Sequence, residues 1–166
     1  GIDATVKAAR EAGVDGFILP DAPVEEAAEL TDPIRAAGMT ASLLVAPTTP
    51  DERMTKIAGA CSGFVYLLTR VGITGDASNG GRSGGVAGKA IAERVKKLRT
   101  MTDLPIACGF GISTPDDVAT VVREGGADAA IVGSALVRRM GKAAVGGFDG
   151  SGEAESFTRS LAVGLR

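Results

Sequence analysis

Five short apolar segments alternate along the chain with longer segments that have helical spacing, and this alternation strongly limits the possible folds. Each apolar segment is bounded by glycine, proline or a polar turn, which is typical of short strands buried on both faces. Strands that alternate with helices predict a parallel sheet with right-handed crossovers, and therefore an α/β fold. The predicted strands are 16–20, 40–46, 63–68, 105–108 and 129–132.

The segments between these strands predict helices, because apolar and charged residues recur on opposite sides of a helical turn. Gly13 and Gly38 follow two of these segments, at the position where glycine commonly ends a helix. Residues 70–85 differ, since they are so rich in glycine and polar residues that we expect a flexible lid loop there. The predicted helices are 2–12, 24–37, 51–60, 86–100, 115–124, one beginning near 135, and 153–165.

Two architectures are compatible with this order: an open doubly wound sheet, and part of a (β/α)8 barrel. A dinucleotide-binding sheet needs the pattern G-x-G-x-x-G after a strand, and the nearest match, at 109–111, lacks the third glycine. Barrels often bind phosphate at the loops after their last two strands, and here those loops contain 109–111 and 133–134. We therefore predict a partial TIM barrel, with residues 1–166 forming a single domain.

A glycine-rich turn and then a helix start follow the fourth predicted strand. Gly109 and Gly111 carry no side chain, so the backbone can turn sharply and expose its N–H groups above the end of the strand. Thr114, Pro115 and Asp117 have the residue types and spacing of an N-cap, a first-turn proline and an N3 carboxylate. Bare amides beside helix N-termini suit an anion, and we expect a phosphate there.

The charge and composition favour a small-molecule partner. The chain has 18 basic and 20 acidic residues and no basic stripe alternating with aromatics, so nucleic acid and membranes are not expected as partners. It has no histidine, which excludes a histidine-based catalytic triad or zinc site. Cys61 and Cys108 are expected to be two reduced thiols rather than a disulfide or a metal site. No signal peptide opens the chain, so we expect it in the cytoplasm.

Four motifs lie at strand ends: PDAPVEE at 20–26, YLLTRVGITG at 66–75, GFGIS at 109–113 and VGSALV at 132–137. In this order and spacing they resemble the tryptophan synthase alpha chain family. The resemblance implies a (β/α)8 barrel, a lyase of tryptophan biosynthesis that cleaves indole-3-glycerol phosphate to indole and glyceraldehyde 3-phosphate. It also implies a tryptophan synthase beta subunit as partner, with pyridoxal phosphate (PLP) in that subunit and no cofactor or metal in this chain.

The resemblance covers strands four to eight of the family's barrel. The family's catalytic glutamate lies on the second strand and its catalytic aspartate on the loop that follows, and both positions lie upstream of Gly1. The resemblance therefore implies that this chain contains no catalytic residue. Its expected share of the site is the phosphate-binding part and the lid.

The resemblance also assigns roles to residues on three strand-end loops. Tyr66 is expected to lie in the pocket and support the catalytic carboxylate that lies upstream of Gly1, while Thr74 is expected to bond to the catalytic aspartate when the lid closes. Arg70 is expected to belong to the lid. The expected phosphate-binding residues are Gly75, Gly111, Gly133 and Ser134.

Phe110 and Asp21 are the expected pocket-lining residues. Phe110 lies between the two glycines of its loop, and Asp21 follows the first predicted strand at its carboxyl end, where barrel chemistry takes place. The flanking residues Pro20 and Pro23 also suit a turn or a subunit contact at Asp21.

Two other functions remain open. One is a non-catalytic phosphate-binding half-barrel or interaction module, whose open sheet edges would pair with a partner. The other is a different phosphate-binding TIM-barrel enzyme, such as an epimerase or a thiamin phosphate synthase. The sequence LLTRVGITG at 67–75 argues against this last alternative.

Overall fold

The computed structural model has five parallel strands that alternate with helices, which confirms the α/β class predicted from the sequence. It describes residues 1–69, 84–109, 111–147 and 149–166, with only the backbone described for 84–87. The strands are Gly16–Leu19 (β1), Thr40–Val45 (β2), Val65–Leu68 (β3), Ile106–Gly109 (β4) and Ala129–Ile131 (β5). β1 pairs with β2, β2 with β3, and β4 with β5, each in parallel.

The helices agree with the predicted segments, with small shifts at their ends. Residues 24–26 form a turn instead of the predicted start of a helix, and the helix after residue 83 begins two residues earlier than predicted. Among the described residues, no helix is long and apolar enough to cross a membrane. The helices are Ile2–Glu11 (α1), Ala27–Ala36 (α2), Asp51–Ala60 (α3), Gly84–Leu98 (α4), Pro115–Ala119 (α5), Ser134–Val145 (α6) and Gly150–Ala162 (α7).

The predicted helix 115–124 is interrupted, because α5 passes into a π-helical turn at Thr120–Glu124. The N–H of Gly125 donates to the carbonyl of Thr120 at 2.9 Å, one residue further back than in an α-helix. A Cβ at Gly125 would lie 2.5 Å from Cγ2 of Ile91 on α4. Glycine therefore lets the end of this turn approach α4 closely.

The chain forms two compact units, of which the first contains Gly1–Leu67 and Lys97–Ile106. In this unit β2 pairs with β3 in a register that sets Leu44 opposite Tyr66. Because side chains alternate along a strand, Leu43 faces the other side of the sheet, where it is buried. A core cluster of this unit contains Val6, Ile34, Met39 and Ala41, with Phe17 and Leu19 packed against it.

The second unit contains Leu68–Lys96 and Ala107–Arg166. In it β4 pairs with β5, and α6 packs against α7. Arg139 on α6 donates from Nη1 to Oε1 of Glu153 at 2.9 Å, and its guanidinium lies 4.5 Å from the ring centre of Phe157. These contacts hold α6 beside α7, and the candidate site lies in this unit.

Candidate functional site

Two loops leave the carboxyl ends of neighbouring strands in the second unit. β4 and β5 are paired so that Gly109 lies opposite Ile131. Gly111 and Gly133 follow these paired residues by the same number of positions. Because paired strands lie about 4.8 Å apart, the two loops start side by side at one edge of the sheet. This is the edge at which parallel α/β folds bind ligands.

Gly111 turns the first loop through a backbone conformation that other residues avoid. Its φ is +79°, in the left-handed region that favours glycine. Gly111 is exposed, whereas the next residue, Ile112, is buried. The loop is thus anchored by an apolar side chain immediately beside a glycine that a ligand can reach.

The helix start after this loop is closed by the predicted capping box. Oγ1 of Thr114 accepts from the N–H of Asp117 at 3.1 Å, and Pro115 is the first residue of α5. Oδ2 of Asp117 accepts from the N–H groups of Ser113 and Thr114, at 2.9 Å each, and from the hydroxyl of Ser113 at 3.2 Å. The N–H groups of Ser113 and Thr114 therefore already bond to a carboxylate and are not available to an anion.

The second loop leads directly into α6, and Gly133 is the N-cap of that helix. No side chain in the part of the chain that the structure describes caps α6, and the first turn of α6 contains no acidic residue. Gly133 and Ser134 are exposed, and a Cβ at Gly133 would meet no atom of the described residues within 4 Å. The first N–H groups of an α-helix have no partner within the helix and carry partial positive charge. The start of α6 therefore offers an open site that suits an anion.

Four of the predicted site residues lie outside the described part of the chain. Arg70, Thr74 and Gly75 fall within 70–83, and Phe110 is itself outside the described residues. Their assignments to the lid, the catalytic support, the phosphate site and the pocket stay predictions.

Tyr66 lies in the first unit, on the face of the sheet opposite to Leu43. It pairs with Leu44 across β2 and β3, and both side chains are half-buried. In a barrel, side chains alternate between the interior and the surrounding helices. The half-buried face that includes Tyr66 is compatible with its predicted place in a pocket, which stays a prediction.

Asp21 lies in an exposed turn after β1, as its neighbouring prolines indicate. With Pro20, Pro23, Glu26 and Glu29 it lines a cavity of about 380 Å³ in the first unit. The three carboxylates at this cavity disfavour a phosphate and favour a positively charged partner. The pocket-lining role of Asp21 stays a prediction, and its surroundings suit the subunit contact at least as well.

Thr69, at the end of β3, is a residue that sequence reasoning did not single out. Its N–H donates to the carbonyl of Gly109 at 3.1 Å, and the residue is 4% exposed. Its Oγ1 is buried and makes no hydrogen bond to the part of the chain that the structure describes. Threonine is common in strands, so nothing in the sequence signals that this hydroxyl lacks such a partner.

Both cysteines are free and buried, as the sequence predicted. Burial, with a further contribution from the nearby Asp128, raises the pKa of Cys108 to about 12. Burial also raises the pKa of Cys61, whose sulfur accepts from the N–H of Leu43 at 3.2 Å. Because the thiolate is the reactive form, both residues are structural at neutral pH.

The high pKa of Cys108 predicts a loss of stability at alkaline pH. The unfolded chain releases this proton near the ordinary thiol pKa of 9.0, whereas the folded chain keeps it to about 12. The protonated thiol of Cys108 therefore contributes fully to the free energy of unfolding below pH 9, and this contribution falls by about 1 kcal/mol per pH unit above pH 9. When urea unfolding is compared at pH 8 and pH 10, the free energy of unfolding should fall less between the two for Cys108→Ala than for the wild type. Equal losses would contradict the assignment.

Known proteins resemble the chain along nearly its whole length. A family model for the tryptophan synthase alpha chain matches residues 1–163. The tryptophan synthase alpha chain of Microcystis aeruginosa is 42% identical over 165 residues, which cover 97% of this chain and 57% of the relative. That of Methanosarcina mazei is 42% identical over 167 residues, which cover 99% of this chain and 56% of the relative.

Solved structures agree with the sequence relatives. A mutant tryptophan synthase alpha subunit from Pyrococcus furiosus matches with a TM-score of 0.77 at 30% identity, over 97% of this chain and 60% of that one. A chain from the tryptophan synthase α2β2 complex of the same organism matches with a TM-score of 0.75 at 30% identity, over 99% and 60%. The chain spans a little over half the length of the relatives it matches. Its sequence and its strand-by-strand architecture place it in the tryptophan synthase alpha chain family.

Proposed function

We propose that this chain supplies the phosphate-binding part of a lyase of tryptophan biosynthesis. The lyase cleaves indole-3-glycerol phosphate to indole and glyceraldehyde 3-phosphate. Membership of the family supports the reaction, and the strand register in the second unit supports the role. That register, Gly109 opposite Ile131, is the single observation that carries the proposal, because it sets Gly111 and Gly133 at the same edge of the sheet.

The proposed ligand group is the phosphate of the substrate. The N–H groups at Gly111 and Gly133 and the hydroxyl of Ser134 would donate to the phosphate oxygens, and the start of α6 would supply partial positive charge. Because α6 has no acidic residue in its first turn, no side-chain charge there opposes a dianion. The two amides held by Asp117 are not part of the proposed cradle.

Phosphate binding contributes to the reaction by positioning. In the retro-aldol cleavage, a general acid protonates C3 of the indole ring and a base removes the proton of the side-chain hydroxyl. The bond between C3 and the carbon that carries this hydroxyl then breaks. In the family pattern, the catalytic glutamate lies on a strand and the catalytic aspartate on the loop after it, and both come before the strands of this chain. Gripping the phosphate remote from that bond fixes the substrate against these carboxylates and lowers the entropic cost of reaching the transition state.

We also propose the tryptophan synthase beta subunit as the partner of the complete protein, with PLP bound in that subunit. The α2β2 complex among the structural relatives supports this partner. The exposed turn at Asp21 would be part of the contact, since its carboxylates favour a basic surface. The expected compartment is the cytoplasm.

Thermal unfolding with added ligands tests the proposal. Glycerol 3-phosphate is expected to raise the Tm of the wild type, because it binds the folded state and not the unfolded state. Ser134→Ala is expected to weaken this ligand about tenfold, since a hydrogen bond to a charged group is lost. Ser156→Ala is the matched control, because Ser156 is an exposed helical serine of α7 in the same unit. No rise in the wild type, or equal weakening by both variants, would contradict the proposal.

A second ligand separates the lyase from a module that binds phosphate alone. Indole-3-glycerol phosphate should raise the Tm more than glycerol 3-phosphate at the same concentration if the indole ring also contacts the chain. A phosphate-binding module without a substrate pocket would respond equally to the two ligands.

A further inference from the structure

The end of the chain closely approaches the start of α5. Val163–Leu165 form a 3₁₀ turn after α7, and Gly164 in that turn is buried. A Cβ at Gly164 would lie 2.1 Å from the carbonyl oxygen of Pro115 and 2.9 Å from Cβ of Val118. Only glycine allows this separation, so the C-terminal backbone packs directly on the first residue of α5.

Pro115 is firmly linked to the loop that contains Gly111. Thr114 and Asp117 exchange the two bonds of the capping box across Pro115. Asp117 also holds Ser113 through its N–H and its hydroxyl. The loop and the first turn of α5 therefore form one hydrogen-bonded element, and a shift of Pro115 moves the loop with it.

Other residues of the second unit hold the 3₁₀ turn in place. Phe157 and Leu161 of α7 are buried. The N–H of Arg166 donates to the carbonyl of Val163 at 3.3 Å, which closes the turn. The turn thus continues the packed helix α7 and contacts Pro115 from a fixed position.

We propose that Gly164 is a positioning residue for phosphate binding. Its close contact with Pro115 sets the position of the loop, so that the N–H of Gly111 faces the same anion as the N–H of Gly133. The inference rests on the proposed function for the identity of the anion. Gly164 itself does not touch the ligand and acts through Pro115 and Asp117.

The test compares Gly164→Ala with Gly16→Ala. A Cβ at Gly16 would lie 2.6 Å from the carbonyl oxygen of Thr40 and 2.1 Å from its Oγ1, in the first unit, so the control also introduces a clash with backbone, away from the loop. Both variants should unfold at lower temperature than the wild type. Only Gly164→Ala should shift the amide NMR signals of Gly111 and Ser113, and only it should weaken the binding of inorganic phosphate, by about tenfold.

A chain that ends at Ala162 keeps the test decisive if Gly164→Ala does not fold. Without the 3₁₀ turn, the amide of Ser113 should exchange its hydrogen faster than in the wild type, and phosphate should bind more weakly. Unmoved loop signals and wild-type affinity in the folded variants would overturn the proposal. If the wild type binds no phosphate while the loop signals still respond only to Gly164→Ala, the proposed function fails and the positioning of the loop by Gly164 stands.

Discussion

Gly111→Val is expected to weaken phosphate binding strongly while leaving the chain folded. The φ of Gly111 is +79°, and a β-branched residue is strained in this region. Relief of the strain would rotate the backbone N–H groups of the loop away from the ligand. Losing the hydrogen bond from the Gly111 N–H to a charged group should weaken the binding of inorganic phosphate about 10- to 100-fold in isothermal titration. The strain should lower the free energy of unfolding by about 1–3 kcal/mol.

Gly126→Val is the matched control for this variant. Gly126 lies in the same unit with a φ of +71°, and a Cβ there would meet none of the described atoms within 4 Å. It should lose a similar free energy of unfolding and bind phosphate as the wild type does. If Gly111→Val binds phosphate as tightly as Gly126→Val, the loop after β4 is not part of the phosphate site.

Leu43→Ala is expected to lower the free energy of unfolding by about 3 kcal/mol. Leu43 lies in β2, opposite Leu19 of β1, and is 1% exposed. Removing its side chain loses apolar burial and leaves a cavity that the neighbouring strand and helix can only partly fill. Urea unfolding, analysed for a change in midpoint at constant slope, measures the effect.

Leu165→Ala is the control for a leucine that is not in the core. Leu165 is 54% exposed, so the same truncation should cost less than about 1 kcal/mol. Equal losses for the two variants would show that Leu43 does not lie in a packed core, and that the side of the sheet assigned to it is wrong.

The strands and most helices could be predicted from the sequence because their signals are local. Apolar runs bounded by glycine and proline fix where β2 and β4 lie, and Gly38 marks the end of α2 to within two residues. The π-helical turn at Thr120–Glu124 could not be predicted in this way. Its apolar spacing also suits an α-helix, and its end depends on the contact between Gly125 and Ile91 on a distant helix.

Parts of the candidate site could be predicted from the sequence where the local backbone conformation requires a particular residue type. Gly111 needs a positive φ, and Asp117 completes the capping box. The consequence of that box was missed, since the carboxylate that caps α5 also uses the amides of Ser113 and Thr114. The contact between Gly164 and Pro115 had no local signal, because residues far apart in the chain create it.

The most direct test of the phosphate site is an NMR titration of the ¹⁵N-labelled chain with inorganic phosphate. We predict that the amide signals of Gly111, Gly133 and Ser134 move together and yield one dissociation constant, because a single anion contacts all three. Signals that do not move, or that move with different dissociation constants, would contradict a shared phosphate site at the ends of β4 and β5.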